Sequence, residues 1–304
     1  FPSTMRKGMA YAVAAYSLWG LVPIYWKWLQ TISAVELIGH RIFWSCLALF
    51  ALLALRGEWR AFQKSVRNRR AVIVYTLAAL LVGANWLIYV WAVNAGFIVE
   101  TSLGYFINPL VNILLGVFIL GERLRRAQWM AIGLAAIGVI YLTISYGSPP
   151  WIALALASTF GLYGLVKKTA ILQPLQGLAL ETGLLFLPAV VYLGYLESAG
   201  RGALGHVGPV TNLLLIGAGP VTTVPLIFFA AAAKRIPLSW MGLFQYIAPT
   251  IQFLLGVLVF KEAFSRTQFL GFSLVWLALI ICAVEGVVVR QQLRQSRQLI
   301  AARE

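Results

Sequence analysis

Apolar runs of 17 to 23 residues recur along the chain, separated by short polar and mostly basic stretches. They fall at 8–28, 35–55, 71–93, 101–120, 127–145, 150–166, 177–196, 210–232, 239–260 and 267–289. Each is close to the ~20 residues that cross a hydrocarbon core. A chain crossing lipid must satisfy its own backbone hydrogen bonds, so the runs are predicted to be helices. The alternation of a β-barrel strand is absent. The expected fold is an all-α polytopic membrane protein with ten transmembrane helices.

The loops set the orientation. With the N-terminus inside, 19 of the 24 Lys and Arg lie in inside segments and four (Lys27, Arg201, Lys261 and Arg266) lie outside. Arg41 falls within a span. That bias predicts both termini in the cytoplasm and an even number of spans. Met5 is read as the natural start, with Phe1 to Thr4 ahead of it as a scar. The run after Arg6-Lys7 is too long for a signal-peptide core and is expected to stay attached.

The pattern also repeats. At a shift of 140 residues, Ile107, Pro109, Leu114-Leu115-Gly116-Val117, Glu122, Arg126 and Gln128 match Ile247, Pro249, Leu254-Leu255-Gly256-Val257, Glu262, Arg266 and Gln268, nine identities within 25 positions. A weaker echo, Ser17-Leu18-Trp19-Gly20 against Ser158-Thr159-Phe160-Gly161, links the first and sixth spans at a shift of 141. The expected units are 5–146 and 147–289, followed by a basic cytoplasmic tail at 290–304. Five spans per unit is an odd number, so the second unit is expected to be inverted. Inverted repeats give a transporter two mirror-related states around a midplane site.

Composition narrows the function. The chain is 61% hydrophobic and 11% charged, against about 25% charged in soluble domains. The net charge of +15 sits in loops, so it is read as topology and not as a nucleic-acid surface. Cys46 and Cys282 lie inside apolar runs and read as core residues. His40 and His206 are too few for a metal centre, and no cofactor is expected. The chain carries no HExxH, GxSxG or GxxxxGK[ST] motif, and it is not expected to be an enzyme or to burn ATP. A secondary carrier is the expected class, with a channel or receptor-like module as the competing one.

Ionisable and polar residues inside spans are the candidates for function, because lipid penalises them. Glu36, His40 and Arg41 lie in the first half of the second span. Arg41 can hold a substrate carboxylate, and Glu36 and His40, one helical turn apart, can carry a proton. The competing reading is an ion-pair cluster that locks this helix in place. The fourth span puts Tyr105, Asn108 and Asn112 on one face, and the ninth puts Gln245, Ala248 and Gln252 on the equivalent face. Pro109 and Pro249 free carbonyls beside them that can accept from a substrate ammonium. Cavity lining and interhelical bonding both fit this stripe. Asn85, Trp86 and Tyr89 in the third span, with Trp19 and Tyr163, supply aromatic and polar walls. Trp26, Trp28 and Trp59 sit near span ends and read as interfacial anchors. Glu122 and Glu262 occupy matched loop positions and are expected to cap helix ends. The substrate-binding set is therefore Trp19, His40, Arg41, Asn85, Trp86, Tyr89, Tyr105, Asn108, Tyr163, Gln245 and Tyr246.

Several strings carry a family resemblance: Glu36-Leu37-Ile38-Gly39-His40-Arg41, Asn85-Trp86, Trp91-Ala92-Val93-Asn94, Glu100 through Leu110, Gly121-Glu122-Arg123 and Phe244 through Thr250. From Met5 to about Arg290 the chain closely resembles the RarD branch of the drug/metabolite transporter (EamA) superfamily. The resemblance implies a multi-pass carrier of the bacterial inner membrane, with ten helices in two inverted repeats. It implies export of amino acids, as by the aromatic amino-acid exporter YddG, or of other metabolites or drugs such as chloramphenicol. After Asn94, where a polar or histidine-containing pair is expected, the chain has Ala95-Gly96-Phe97. That departure bears on any gating or proton handling by such a pair. The partners expected are a small-molecule substrate and the bilayer, with a monomer favoured over a dimer and no nucleic acid.

Overall fold

The computed structural model describes residues 3–95, 97–146 and 150–259, then 266–267, 269–271, 273–278, 280–281 and 284–285. Up to residue 259, eleven α-helices are defined among the described residues: α1 (Ser3–Lys27), α2 (Ala34–Leu55), α3 (Trp59–Val66), α4 (Arg69–Asn94), α5 (Ile98–Phe118), α6 (Arg126–Tyr146), α7 (Trp151–Thr169), α8 (Pro174–Ser198), α9 (Pro209–Ala233), α10 (Leu238–Gln245) and α11 (Ile247–Leu254), which runs into a π-helical turn at Leu255–Val259. No strand occurs among the described residues.

Seven of the helical stretches are long and apolar enough to cross a membrane by length and composition. The other three expected spans fall on α5, whose apolar stretch Leu103–Phe118 is shorter, on the 19-residue α7, and on 267–289, which lies partly outside the described residues. Cys282, Lys261, Glu262, Gly96 and the 290–304 tail also lie outside them.

Local chemistry explains where the helices start and break. The Ser33 hydroxyl accepts from the Glu36 backbone N–H at 3.3 Å and caps α2. Proline opens α8 and α9, where its missing N–H costs nothing. The ninth expected span is split in two, because Pro249 cannot donate to the Gln245 carbonyl and the chain turns between α10 and α11. Its sequence mate Pro109 stays inside a continuous α5. The loop expected at 56–70 instead contains the amphipathic α3, which buries Phe62 and exposes Arg60 and Lys64. The Phe62 ring lies 5.7 Å from Phe50 and 5.8 Å from Trp59.

Helix pairings come in matched sets. α1 packs on α9 as α7 packs on α4, α2 on α9 as α8 on α4, and α5 on α7 as α10 and α11 on α1. Two close approaches are matched as well. A Cβ on Gly20 would lie 2.7 Å from Cβ of Ile251, and one on Gly161 would lie 2.6 Å from Cγ1 of Val111. Only glycine lets these helices come so near.

The largest buried cluster joins Tyr16, Leu49, Leu53, Tyr75, Tyr163, Phe229, Leu238 and Met241. These residues come from the middle of α1, the second halves of α2, α7 and α9 and the first halves of α4 and α10, so the cluster fills the end of the bundle where α3 lies. The opposite end holds a cavity.

Candidate functional site

The cavity has a volume of about 260 Å³ and takes wall residues from α1, α2, α4, α5, α7, α9, α10 and α11. Eight residues of the expected binding set meet there: Trp19, Arg41, Asn85, Trp86, Tyr89, Tyr105, Asn108 and Gln245. Among the described residues, Arg41 is the one charged side chain on its wall.

Arg41 is held from three directions. Its Nε donates to Oγ1 of Thr222 at 3.0 Å. Its guanidinium carbon lies 5.0 Å from the Trp26 ring centroid and 4.7 Å from that of Trp86. Rings stabilise a cation through their negative faces without neutralising it. No carboxylate lies within salt-bridge distance of Arg41 among the described side chains. Arg41 is thus a positive charge on the cavity wall without a counter-ion among the described side chains.

The aromatic wall continues away from Arg41. The Tyr89 and Tyr105 rings meet edge to face at 6.2 Å. Trp19 meets Phe160 at 5.9 Å and Phe229 at 5.6 Å, closing the floor toward the buried cluster. Polar groups are pinned between the rings. Asn85 Nδ2 donates to the Leu156 carbonyl and to Thr159 Oγ1, both at 2.9 Å. Asn112 Nδ2 donates to Gln245 Oε1 at 2.6 Å and more weakly to Asn108 Oδ1 at 3.4 Å. The polar stripe thus does two jobs. Asn112 is fully buried and ties α5 to α10, while Asn108 and Gln245 reach the cavity.

The remaining candidates lie elsewhere. Glu36 accepts from the Ala203 backbone N–H at 2.6 Å, which fixes α2 to the segment between α8 and α9. His40 Nε2 is 3.8 Å from Glu36, and both border a separate cleft with Leu193 and Glu197. Tyr163 is fully buried under the floor, stacked on Phe229 at 5.8 Å. The Tyr246 hydroxyl donates to the Phe106 carbonyl at 3.3 Å, inside the protein.

Other residues emerge only from the structure. Trp26, expected as an interfacial anchor, lines the cavity and lies on Arg41. Thr222 belongs to a threonine pair between Pro220 and Pro225, the polar residues of α9 beyond its first turn, and that pair is the signal that would have found it. Glu122 caps a helix as expected, but one far along the chain. Its carboxylate accepts from Leu238 N at 2.6 Å, Ser239 N at 2.8 Å and Ser239 Oγ at 2.6 Å, at the start of α10. Lys168 donates to the Ile236 carbonyl and Lys234 to the Leu172 carbonyl at the same end. Burial, then the neighbouring Lys167 and Arg235 charges, hold Lys234 below the ordinary lysine range.

Residues 6–144 match the model of the EamA-like transporter family. Protein RarD of Streptomyces exfoliatus is 48% identical over 298 residues, covering 98% of this chain and 93% of that one. The chain belongs to the EamA-like transporter family, in its RarD branch. An uncharacterized transporter of Vibrio cholerae serotype O1 is 44% identical over 292 residues, covering 96% of this chain and 97% of that protein. One solved crystal structure superimposes with a TM-score of 0.66 at 16% identity, over 91% of this chain and 97% of that one, a likeness of fold. Membership of the family, with the apolar helices, makes this a multi-pass bacterial membrane protein and a transporter of the drug/metabolite type.

Proposed function

We propose that this protein is a secondary carrier of the inner membrane that exports amino acids, or closely related amphiphilic metabolites, by alternating access. The observation that carries this reading is the cavity's chemistry: one unneutralised cation, Arg41, in an aromatic wall with no carboxylate among its described residues. Such a site favours a molecule with an anionic end and an apolar or aromatic body. Arg41 takes the carboxylate. The carbonyls of Tyr105 and Gln245, freed by Pro109 and Pro249 in the cavity wall, accept from the ammonium. Trp19, Trp86 and Tyr89 face the side chain.

Ten spans in two inverted five-helix repeats, with both termini cytoplasmic, are part of this proposal. The matched helix pairings and the matched approaches of Gly20 and Gly161 support the repeat. The basic inside loops support the orientation. On that orientation the cavity lies toward the outer half of the membrane, and the buried cluster with its caps seals the cytoplasmic end. The carrier works as a monomer, with no cofactor. A drug-efflux carrier of the chloramphenicol type is the second reading, favoured by the extent of the aromatic wall.

Counterflow in proteoliposomes tests both. Vesicles preloaded with aromatic, aliphatic, basic or acidic amino acids, or with chloramphenicol, receive trace label outside, with and without a pH gradient. The expected result is label accumulation with an amino acid, fastest for apolar or aromatic side chains. Accumulation with chloramphenicol alone would establish the second reading. No exchange from folded protein would sink both.

A further inference from the structure

Lys167 and Glu181 form an ion pair at 2.6 Å, with both side chains only 2% exposed. Lys167 Nζ also lies 5.3 Å from the ring centroids of Tyr75 and Tyr163. Two charges taken out of water cost several kcal/mol each, and hydrophobic residues in their place are often as stable. A buried pair in a membrane protein therefore points to use.

Its position points the same way. Glu181 borders a void of about 10 Å³ that shares Trp86, Thr222 and Leu226 with the cavity. Eight of the eleven residues lining the void form pairs 140 apart in sequence: Ile42 with Thr182, Ser45 with Leu185, Val82 with Thr222, and Trp86 with Leu226. The same shift makes Glu181 the mate of Arg41. A shift of 141, that of the first and sixth spans, makes Lys167 the mate of Trp26. Equivalent places in the two halves thus hold a cation on a ring, facing the cavity, and an occluded ion pair.

We propose that Lys167 and Glu181 are a second binding site, occluded in this state, for the ammonium and carboxylate of a zwitterionic substrate. The inference rests on the amino-acid reading above. Exchange of the two half-repeats' conformations would open the bundle on the Lys167–Glu181 side and close it over Arg41. Parting a buried pair is tolerable only if each ion finds a new partner. A zwitterion supplies both at once: its carboxylate goes to Lys167 and its ammonium to Glu181. A molecule with one charge leaves the other residue uncompensated. The pair acts as the substrate's stand-in while the site is empty, and its selectivity is for zwitterions.

The test compares three probes by counterflow: phenylalanine, 3-phenylpropionate (carboxylate only) and phenethylamine (ammonium only), or the same trio built on the amino acid that wild type exchanges fastest. The variant is Lys167→Met with Glu181→Met, which removes both charges and keeps side-chain length. Folding is checked by thermal unfolding in detergent. Wild type is expected to favour the zwitterion over either analogue, and the double variant to lose about 10–100-fold of that preference, the worth of one or two charged hydrogen bonds. An unchanged preference, or an equal loss for all three probes, overturns the inference and leaves the pair as a structural lock. If the double variant does not fold, Glu181→Asp keeps the charge but shortens its reach. It is expected to weaken the zwitterion preference, and no change there overturns the proposal equally. A wild type that exchanges no amino acid defeats the substrate class itself, and this inference with it.

Discussion

The two ends of this bundle are made from the same helices and obey opposite rules. At the cavity end Arg41 has rings and a hydroxyl for company but no counter-ion among the described side chains. At the sealed end three cations have been given acceptors: Lys167 has Glu181, Lys168 has the Ile236 carbonyl, and Lys234 has the Leu172 carbonyl. Glu122 is equally saturated, with three donors on one carboxylate. Saturated polar groups hold a structure shut, and unsaturated ones wait for a ligand. The contrast teaches which charged residues hold this state shut, and so should show themselves in stability, and which stand open to a ligand in it.

The largest expected effect breaks the sealed end. Lys167→Met alone leaves Glu181 buried without a partner and should cost about 3–5 kcal/mol. The Lys167→Met/Glu181→Met double variant should recover most of that loss. Thermal unfolding in detergent of the two singles and the double measures the difference, and an additive double would contradict the pairing. Next comes Glu122→Ala, which strips α10 of its cap and leaves two backbone N–H groups unpaired. It should cost about 2–4 kcal/mol, seen as a lower unfolding temperature.

At the cavity end the sign of the comparison reverses. Arg41→Ala should unfold at nearly the wild-type temperature yet weaken carboxylate-bearing substrates by about 10–100-fold, the worth of a charged hydrogen bond. If the variant unfolds instead, Arg41 belongs with the structural residues. The smallest effect concerns pH. Lys234 carries a depressed pKa, so its protonated form is disfavoured in the fold. That penalty is present while the residue is charged, and it fades as the pH rises through the folded value toward the unfolded one. Stability attributable to Lys234 should therefore increase with rising alkaline pH. Lys234→Met should flatten the increase, as read from unfolding temperatures across a pH series.

The spans were legible because lipid imposes a composition on whatever crosses it. Runs of apolar residues, basic loops between them and a 140-residue repeat are visible without coordinates. Eight of the candidate site residues were legible for a related reason: a polar or aromatic side chain is conspicuous in an apolar run. That signal cannot say which way a side chain faces. Tyr163 and Tyr246 look like wall residues from their depth, yet they are buried behind the wall. Trp26 looks like an anchor from its place near a helix end, yet it covers Arg41.

The sequence by itself determined that the chain is a bundle of membrane helices, where its candidate residues lie along them, and to which transporter branch it belongs. Only the tertiary structure decided who meets whom. Arg41 and Thr222 are 181 residues apart, Glu122 and Leu238 116 apart, and Asn112 and Gln245 133 apart. Helical periodicity fixes neighbours three or four residues apart and is silent beyond that. Which helix faces which is settled by close packing, here by glycines such as Gly20 and Gly161 that admit a neighbour's side chain. Whether a charge becomes a brace or a binding group follows from that packing, because it decides which partners are within reach.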